Sequence, residues 1–355
     1  MKDRTKTKQI TLGTLPVGGG APVTVQTMCS TKTWDVEATV KQIRAMQAAG
    51  ADIVRIAIPD MEAAKAVSAI KEQVSVPLVA DIHFDYQLAI RSAENGIAKL
   101  RINPGNIGRE DRVRMVADCA KAHHIPIRIG VNSGSVEKEL LAKYGGPTAE
   151  CLVESALGHA RILEKVGFED IVLSMKSSDV KLTIAAYRLA HERCGYPLHV
   201  GVTEAGLPGQ GTVKSAIGIG ALLADGIGDT IRVSLSGDPV PEAKAAWDIL
   251  RALDLRVRGV QLIACPTCGR TCIPVAEIGK RVEEELADVT VPLKVAVMGC
   301  VVNGLGEGRE ADVGIAGGKS GGVLFVKGEE PRKVEGDLAE QLIAEVRRRI
   351  GRTAD

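Results

Sequence analysis

The sequence of 355 residues is poor in aromatic side chains, which make up 3% of it, and it is nearly neutral, with 45 basic and 44 acidic residues. Proteins that bind single-stranded nucleic acid stack the bases on aromatic rings, so this scarcity disfavours such a function. A net charge of +1 provides no overall field that would attract nucleic acid or an acidic membrane surface. We therefore expect no nucleic-acid partner.

Long apolar runs and a secretory leader are also missing from the pattern. No uninterrupted apolar run approaches the ~18 residues of a membrane span. The segment from Met1 to Lys6 carries charge, with no apolar stretch behind it, so we expect neither a signal peptide nor a membrane association. Eight cysteines without a secretory context are typical of reduced thiols in the cytoplasm.

Short β-branched runs alternate with amphipathic helical patterns through the first two thirds of the chain. The first helical pattern follows Asp35, a plausible N-cap, and stops at Gly50. The predicted strands are apolar on both faces, as in a parallel sheet covered by helices. They span residues 23–28, 53–58, 78–83, 99–103, 127–131, 171–175, 198–203 and 230–235. Eight strand–helix units in roughly 230 residues predict an α/β fold with a closed (β/α)8 barrel of TIM type.

The repeat is interrupted in two places. Residues 132–147 lengthen the interval between strands five and six, and their glycines and proline predict an extended loop at the barrel mouth that could act as a lid. After Leu253, strands at 260–264, 293–298, 313–316 and 323–326 with helices near 275–286 and 338–350 predict a small α+β domain. We therefore expect a barrel domain at 1–255 and a second domain at 256–355.

Polar side chains stand where the predicted strands end, which is the face of such a barrel that carries its chemistry. They are Arg55, Asp81, His83, Arg101, Asn103, Arg128, Asn132, Ser174, Lys176, Thr203, Glu204, Arg232 and Ser234. For any single arginine, pairing with a nearby acid explains its presence as well as a functional role does. Five cations from five strands are harder to explain in this way, because buried charges are costly unless they are paired or bind a ligand. Arginine forks suit phosphate, so the set predicts a doubly phosphorylated small molecule.

Glycine-rich turns after strands seven and eight agree with a phosphate ligand. Residues 206–212 read GLPGQGT before a helix, and residues 234–238 read SLSGD. Backbone amides of these two loops commonly bind phosphate in TIM barrels. The triplet Gly318-Lys319-Ser320 is not a nucleotide-binding loop, because Val313 stands where the motif requires glycine and a strand is expected to follow.

The cysteines of the second domain predict a metal centre. Cys265 and Cys268, two residues apart, can point at one centre from a tight turn, and Cys300 follows an apolar run in a glycine-rich loop. Three converging thiols indicate an iron–sulfur cluster or a zinc ion, for which Cys272 could supply the fourth ligand. The spacing alone favours neither the iron–sulfur cluster nor the zinc ion. A mouth that binds phosphate without another reactive group favours the cluster, and Glu307 could then take a fourth iron position.

These motifs resemble those of the 4-hydroxy-3-methylbut-2-enyl diphosphate synthase family, the iron–sulfur enzymes of the non-mevalonate isoprenoid pathway. The likeness rests on residues 265–270 (CPTCGR) and 299–307 (GCVVNGLGE), and in the barrel on residues 25–28, 80–84, 101–106 and 201–206. It covers nearly the whole chain, whose length is similar to the bacterial two-domain form. The resemblance implies a 4Fe–4S cluster held by Cys265, Cys268, Cys300 and Glu307, with Cys272 outside the ligand set.

The resemblance also implies the reaction and the partners. The substrate would be 2-C-methyl-D-erythritol 2,4-cyclodiphosphate, opened reductively with loss of water by two electrons from flavodoxin or ferredoxin. The enzyme would be a homodimer in which the cluster domain of one chain covers the barrel mouth of the other. Glu204, with Thr203 beside it near the reacting carbons, would be the acid, Asp81 and His83 would orient neighbours, and Glu307 would be an exchangeable ligand that opens one iron to substrate. The diphosphate would contact Arg55, Arg101, Asn103, Arg128, Asn132, Lys176, Arg232 and Ser234.

Two other functions fit part of the pattern. Lys176 at the end of strand six could form a Schiff base in a phosphosugar aldolase whose cysteines hold a structural zinc ion. A redox sensor with a cluster is the second alternative, but sensing iron or oxygen needs no cationic mouth.

Overall fold

The structure, a computed structural model, describes residues 4–301, 306, 308–318 and 320–353. The chain divides into two compact units, Met1–Arg256 and Val257–Asp355. The boundary at Val257 lies next to residue 256, where the sequence pattern placed the start of the second domain. Helices and strands are numbered below in chain order.

The first unit is built from strands and helices in alternation. Its strands are β1 (Ile10–Leu12), β2 (Leu15–Val17), β3 (Thr24–Met28), β4 (Ile53–Ala57), β5 (Leu78–Asp81), β6 (Lys99–Ile102), β7 (Ile127–Asn132), β8 (Ile171–Lys176), β9 (His199–Val200) and β10 (Thr230–Ile231). Its helices are α1 (Val36–Ala48), α2 (Met61–Lys71), α3 (Tyr86–Glu94), α4 (Pro104–Ile107), α5 (Glu110–Ala122), α6 (Lys138–Tyr144), α7 (Ala149–Lys165), α8 (Val180–Arg193), α9 (Gln210–Ala224) and α10 (Val240–Ala252). As predicted, α1 begins after Asp35, whose carboxylate accepts a hydrogen bond from the Ala38 amide.

Strands β3 to β10 form one parallel sheet in the order β8-β7-β6-β5-β4-β3-β10-β9. A parallel bridge between Leu173 and Leu198 joins its two ends. The buried Tyr187 hydroxyl reinforces this seam, because it donates to the His199 carbonyl at 2.6 Å and accepts from the Met175 amide at 3.1 Å. The predicted (β/α)8 barrel is confirmed.

A hairpin that the sequence pattern did not predict covers one end of the barrel. Strands β1 and β2 pair antiparallel, and Ile10, Leu12 and Val17 pack on apolar side chains of β4, β5 and β8, namely Ile53, Val79 and Val172. Each strand of the hairpin has three residues, too few for a clear alternation pattern. The apolar layer closes the barrel opposite to its mouth.

The last two barrel strands are shorter than predicted. β9 ends at Val200 and β10 ends at Ile231, so Thr203, Glu204 and Ser234 lie in loops. The strands continue to approach beyond these ends, since the Arg232 amide donates to the Val200 carbonyl at 2.9 Å. A Cβ atom on Gly201 would lie 2.4 Å from the Arg232 carbonyl oxygen, so the backbones come too close there for any side chain.

The expectation of an extended loop over residues 132–147 was wrong. The segment contains a 3₁₀ turn at Ser133–Ser135 and the helix α6, which ends at Tyr144 and is capped by Gly145 in the left-handed conformation. Good helix formers in Lys138–Tyr144 outweigh the flanking glycines. Lys143 and Tyr144 both bind the Glu154 carboxylate on α7, so the helix is fixed to its neighbour.

The second unit is a five-stranded sheet with two described helices. The elements are β11 (Val260–Ala264), α11 (Val275–Glu285), β12 (Leu293–Met298), β13 (Val313–Gly318), β14 (Gly321–Val326), β15 (Arg332–Val334) and α12 (Leu338–Thr353). β11, β12 and β13 are parallel, and β14 and β15 continue the sheet antiparallel. The short, charged edge strand β15 was not predicted. The predicted small α+β domain is confirmed, and no described helix is long and apolar enough to cross a membrane.

Candidate active site

The barrel strands alternate an apolar outer face with a charged inner face. Along β6, Leu100 and Ile102 join the core beneath the helices, whereas Lys99 and Arg101 point inward; β7 and β8 show the same alternation. Six cations line the described interior: Arg55, Lys99, Arg101, Arg128, Lys176 and Arg232. The carboxylates that face them are those of Asp81 and Glu242. The interior therefore holds more basic side chains than acidic ones.

Asp81 is the shared counter-ion at the mouth. Its Oδ2 atom lies 3.1 Å from Arg55 Nη2 and 3.5 Å from His83 Nε2, and its Oδ1 atom lies 3.4 Å from Arg101 Nη1. Burial alone would raise the pKa of Asp81, but Arg55, His83 and Arg101 outweigh burial and lower the pKa below its ordinary value. Asp81 therefore stays ionised and sets the directions of both arginine side chains.

Arg101 and Asn103 are fixed to the neighbouring strand. Arg101 Nη2 donates to the Gly130 carbonyl at 2.8 Å, and the Gly130 amide donates to Asn103 Oδ1 at 2.9 Å. A Cβ atom at position 130 would lie 2.6 Å from Arg101 Nε, so glycine is needed for this close approach. The carbonyl oxygen of the Asn103 side chain is therefore occupied within the protein, which leaves its Nδ2 group for a ligand.

Arg128 and Lys99 are fully enclosed, and parts of both lack partners. Arg128 Nε and Nη2 and Lys99 Nζ have no hydrogen-bond partner among the described residues. Burial, followed by the neighbouring arginines, lowers the pKa of both groups well below their ordinary values. The sequence analysis selected Arg128 but missed Lys99. Lys99 stands two residues before Arg101, and this i, i+2 spacing, which places both side chains on one face of β6, was the signal in the sequence.

Lys176 and His199 form a second buried pair. Lys176 Nζ lies 3.3 Å from His199 Nε2, and both side chains are buried. Burial and the surrounding cations lower the pKa of each group. Two positive charges at this distance repel each other, so the pair does not carry both protons at neutral pH without a bound anion. His199 was missed in the sequence because a lone histidine in a strand is more often structural.

Arg232 is held from behind by Glu242 on α10. Arg232 Nε lies 3.7 Å from Glu242 Oε2, while Glu242 Oε1 accepts a hydrogen bond from the Leu235 amide at 2.9 Å. Burial lowers the pKa of Arg232 to about 10, and burial raises the pKa of Glu242. Glu242 thereby joins Arg232 to the loop that carries Ser234. The amphipathic pattern of α10 gave no sign of this role.

The loops after β9 and β10 carry the remaining predicted residues. Glu204 is exposed and has a φ of 51°, a left-handed conformation that is costly for a residue with a side chain and clusters at functional sites. The Ser236 amide donates to the Gly206 carbonyl at 3.0 Å, so the two glycine-rich loops are joined. Gly209, with a φ of 94°, precedes the first turn of α9. Free amides of such a turn can bind phosphate.

Hydrogen bonds of the backbone also position Thr203 and Asn132. The Thr203 amide donates to the Ser177 carbonyl at 3.2 Å, which ties the loop after β9 to the loop after β8. The Asn132 amide and carbonyl both bind the Ser135 hydroxyl, at 3.3 and 3.1 Å. Thr203, Glu204, Asn132 and Ser234 thus lie at or beyond the ends of their strands, whereas Arg128, the second residue of β7, lies deeper in the barrel.

The predicted metal ligands lie at the ends of two adjacent strands of the second unit. β11 and β12 pair in parallel with Ala264 opposite Val297, so Cys265 and Cys300 follow neighbouring strand ends. The Gly299 amide donates to Cys265 Sγ at 3.0 Å, and the Cys272 amide donates to the Gly299 carbonyl at 2.8 Å. The turn that contains Cys268 is therefore fastened to the segment that leads into Cys300.

The thiols fit an iron–sulfur cluster in their chemistry. Amide donors to cysteine sulfur are among the features that tune such clusters, and a backbone hydrogen bond from Arg270 lowers the pKa of Cys268 towards the thiolate form that binds metal. Within the described part of the chain, no three His, Cys, Asp or Glu side chains already converge closely enough to hold a metal ion. The predicted ligand Glu307 lies outside the described residues.

Comparisons with known proteins agree across both units. The family model described as the GcpE TIM-barrel domain matches residues 7–247, and that of the GcpE protein C-terminal domain matches residues 261–348. A relative from Geobacter sulfurreducens is 59% identical over 344 residues, 97% of this chain and 98% of the relative. A relative from Clostridium perfringens is 57% identical over 342 residues, 96% and 98% of the two chains. Both are 4-hydroxy-3-methylbut-2-en-1-yl diphosphate synthases (flavodoxin).

Two solved structures resemble about 70% of this chain. Dihydropteroate synthase from Yersinia pestis superposes with a TM-score of 0.50 at 12% identity, over 71% of this chain and all of that one. The 7,8-dihydropteroate synthase from Vibrio fischeri gives the same score over 70% of this chain and 99% of its own. At such identities the likeness concerns the fold. The predicted resemblance is confirmed by the family models and the close relatives, and the chain belongs to the GcpE family.

Proposed function

We propose that this chain is a flavodoxin-dependent 4-hydroxy-3-methylbut-2-enyl diphosphate synthase of isoprenoid precursor biosynthesis. The substrate is 2-C-methyl-D-erythritol 2,4-cyclodiphosphate, whose ring is opened by two-electron reduction with loss of water. Relatives above 55% identity that cover nearly the whole chain carry this activity in their names.

The observation that carries the proposal is the excess of basic over acidic side chains inside the barrel. Six basic side chains face two carboxylates in the described interior. The unpartnered nitrogens of Arg128 and Lys99 are buried polar groups, which are destabilising unless they meet a ligand. A cyclic diphosphate supplies two negative charges and several acceptor oxygens, which satisfies these donors better than one carboxylate could.

Each barrel residue then has a defined task. Arg55, Arg101, Arg128, Lys176 and Arg232 bind the diphosphate, with Asn132 and Ser234 as hydrogen-bonding neighbours. Asp81 and His83 orient the arginines at the mouth. Glu204, exposed on its strained loop beside Thr203, donates the proton to the oxygen that leaves as water.

The second unit supplies the redox centre. Cys265, Cys268 and Cys300 would hold a 4Fe–4S cluster, with Glu307 as the fourth ligand. When bound, the cluster passes single electrons from flavodoxin to the substrate. The Gly299 amide that donates to Cys265 Sγ at 3.0 Å supports this assignment, because hydrogen bonds to cysteine sulfur are a recurrent feature of iron–sulfur sites. Replacement of Glu307 by cysteine tests the carboxylate role, since retention of both the cluster and full turnover would contradict it.

The assembly we propose is a homodimer in the cytoplasm. Trp34, Phe84 and Leu207 are 48%, 72% and 69% exposed in the loops that follow β3, β5 and β9. Large apolar side chains at one end of a barrel favour a protein cover, which a second copy of the chain would provide. The eight cysteines are free, in keeping with a reducing compartment. Sedimentation of the purified protein tests the dimer.

The decisive experiment is anaerobic purification followed by iron and sulfide analysis and an assay with the cyclodiphosphate. We expect about four irons and four sulfides per chain, as a 4Fe–4S cluster requires, and reduction of the substrate with flavodoxin or a strong artificial donor. A colourless protein with one zinc ion would contradict the proposal. The comparisons do not favour the aldolase alternative, which borohydride trapping on Lys176 would test directly.

A further inference from the structure

A buried histidine connects two loops of the barrel mouth. His159 on α7 is 7% exposed, and its Nδ1 atom lies 3.2 Å from the Gly105 amide nitrogen. Its Nε2 atom lies 2.9 Å from Glu137 Oε1, and Glu137 Oε2 accepts a hydrogen bond from the Ser155 hydroxyl at 2.7 Å. Gly105 belongs to α4, the single helical turn after β6, and Glu137 belongs to the segment after β7. One side chain therefore reaches both loops.

The hydrogen bonds select one protonation state of this imidazole. A backbone amide can only donate, so Nδ1 must accept and cannot carry a proton. The proton therefore resides on Nε2 and points to the Glu137 carboxylate. A second proton on Nδ1 would face the Gly105 amide hydrogen and break that bond. The arrangement thus requires a neutral imidazole with a single tautomer.

The backbone of Gly105 is shaped to receive the ring. A Cβ atom at position 105 would lie 2.6 Å from His159 Cε1, closer than side chains approach each other. The backbone of Gly105 has no positive φ that would by itself require glycine. The missing side chain at this position therefore reflects the close approach of the histidine rather than the conformation of the turn.

The two loops carry residues of the proposed substrate site. Asn103 precedes the turn of Gly105, and its carbonyl accepts a hydrogen bond from the Asn106 amide at 2.9 Å. Asn132 precedes the 3₁₀ turn that leads to Glu137, which is the N-cap of α6. A shift of either loop would therefore displace a polar group at the mouth.

We propose that His159 is a positioning residue that joins the loops after β6 and β7 and so holds Asn103 and Asn132 in place for the diphosphate. This role rests on the proposed function of the barrel mouth. His159 lies on α7 beneath the loops and acts on the substrate through the Gly105 turn and Glu137.

The first test is ¹⁵N NMR of the imidazole nitrogens in the cluster-loaded protein, with the His159 signals assigned by their loss in His159→Asn. We expect an unprotonated Nδ1 and a protonated Nε2 at neutral pH. A protonated Nδ1, or an average of two tautomers, would overturn the proposal. This result does not depend on turnover, so it stands even if the wild-type enzyme fails to reduce the cyclodiphosphate, a failure that would count against the proposed function instead.

The second test compares matched variants of the holoenzyme. His159→Phe keeps an aromatic ring at this position but loses both hydrogen bonds. KM for the cyclodiphosphate should therefore rise about five- to tenfold, as for loss of a buried hydrogen bond, with kcat nearly unchanged. In His159→Asn the Oδ1 atom can replace Nδ1 as the acceptor for the Gly105 amide, so KM should return most of the way to the wild-type value. His123→Asn, at the exposed end of α5, is the control. Equal KM values for His159→Phe and wild type, or no rescue by asparagine, would refute the role.

The third test exploits the contact with Gly105. Gly105→Ala should raise KM because the new methyl group pushes the ring away, and the same change should have a much smaller effect in a His159→Ala background. Additive effects of the two substitutions would show that Gly105 and His159 act independently, contrary to the proposal.

Discussion

Arg55 and Asp81 form an ion pair at the barrel mouth, with 3.1 Å between Nη2 and Oδ2. The other oxygen of the same carboxylate lies 3.4 Å from Arg101 Nη1. Arg55 lies on β4 and Arg101 on β6, the strands on either side of β5, and both are directed by the one acid at the end of β5. A phosphate that enters the mouth therefore meets two guanidinium groups that already have fixed orientations, which reduces the entropy lost on binding.

Replacement of Asp81 by asparagine should destabilise the substrate-free protein by about 3–5 kcal/mol, because removal of one partner from a buried ion pair leaves the other charge uncompensated. Excess cyclodiphosphate should recover part of this loss, since its phosphates can replace the carboxylate as counter-ion. Chemical denaturation with and without the ligand measures both effects.

The control for this prediction is the exposed pair of Arg109 and Asp111, which are 2.9 Å apart. Asp111→Asn should leave the free energy of unfolding nearly unchanged, as is usual for a surface pair. If both substitutions had equal effects, Asp81 would not be the buried counter-ion that the geometry indicates.

Substrate binding should be accompanied by proton uptake at Lys176. Burial, with Arg232 and Arg128 nearby, lowers the pKa of Lys176 in the free enzyme, whereas a bound diphosphate favours the charged ammonium and raises the pKa again. Protons are therefore taken from the buffer when the ligand binds near neutral pH. Calorimetry in buffers of different ionisation enthalpy measures the number of protons taken up on binding.

Lys176→Met should take up fewer protons than wild type, and Lys181→Met, on the same β8–α8 unit, should match wild type. A buffer-independent binding enthalpy for the wild-type enzyme would show that the lysine is already charged before the substrate arrives.

Much of this site could be predicted from the period of the strands. Arg55, Arg101 and Arg128 each follow an apolar residue of the outer core and precede another, which sets them on the inner face of a parallel barrel. Asp35 and Gly50 likewise set the ends of α1 because capping depends on neighbouring residues alone.

The residues that escaped prediction depend on distant parts of the chain. Glu242 lies on a helix with an ordinary amphipathic pattern, and its role arises from the packing of α10 behind Arg232. Lys99 and His199 are buried, and neither forms an ion pair with a carboxylate among the described residues, whereas sequence interpretation assumes that charged side chains are exposed or paired. Residues of this kind serve the function of the site and do not stabilise the fold, so local propensity does not reveal them.

Replacement of Lys99 by methionine should stabilise the substrate-free protein and weaken substrate binding. The lysine is fully buried and its nitrogen has no partner among the described residues, so an apolar side chain of similar size should raise the free energy of unfolding by about 1–3 kcal/mol. KM for the cyclodiphosphate should increase, as expected when a functional charge is exchanged for stability.

The stabilisation by Lys99→Met should depend on pH in a defined direction. Burial lowers the pKa of Lys99 in the folded protein, while the unfolded chain keeps a value of about 10.4. Below that value the unfolded state binds the extra proton, so wild-type stability falls as the pH decreases towards the folded-state pKa. The methionine variant lacks this loss, and its advantage should be larger at pH 7 than at pH 10. Equal advantages at both values would contradict the assignment.

Serine substitutions of the four cysteines in the second unit should fall into two groups by their effect on the iron content of the protein. Cys265 and Cys300 follow adjacent parallel strands, and Cys268 lies in the turn fastened to Gly299. Serine at any of these three positions should remove most of the iron and the visible absorption of the anaerobically purified protein, because an alcohol is a poor ligand for a site built from thiolates. Cys272 is exposed, and its thiol donates to the Arg270 carbonyl. Cys272→Ser should therefore keep the full iron and sulfide content and near-normal turnover. Iron and sulfide analysis of the four variants distinguishes this ligand set from a four-cysteine zinc site, in which Cys272→Ser would be as damaging as the others.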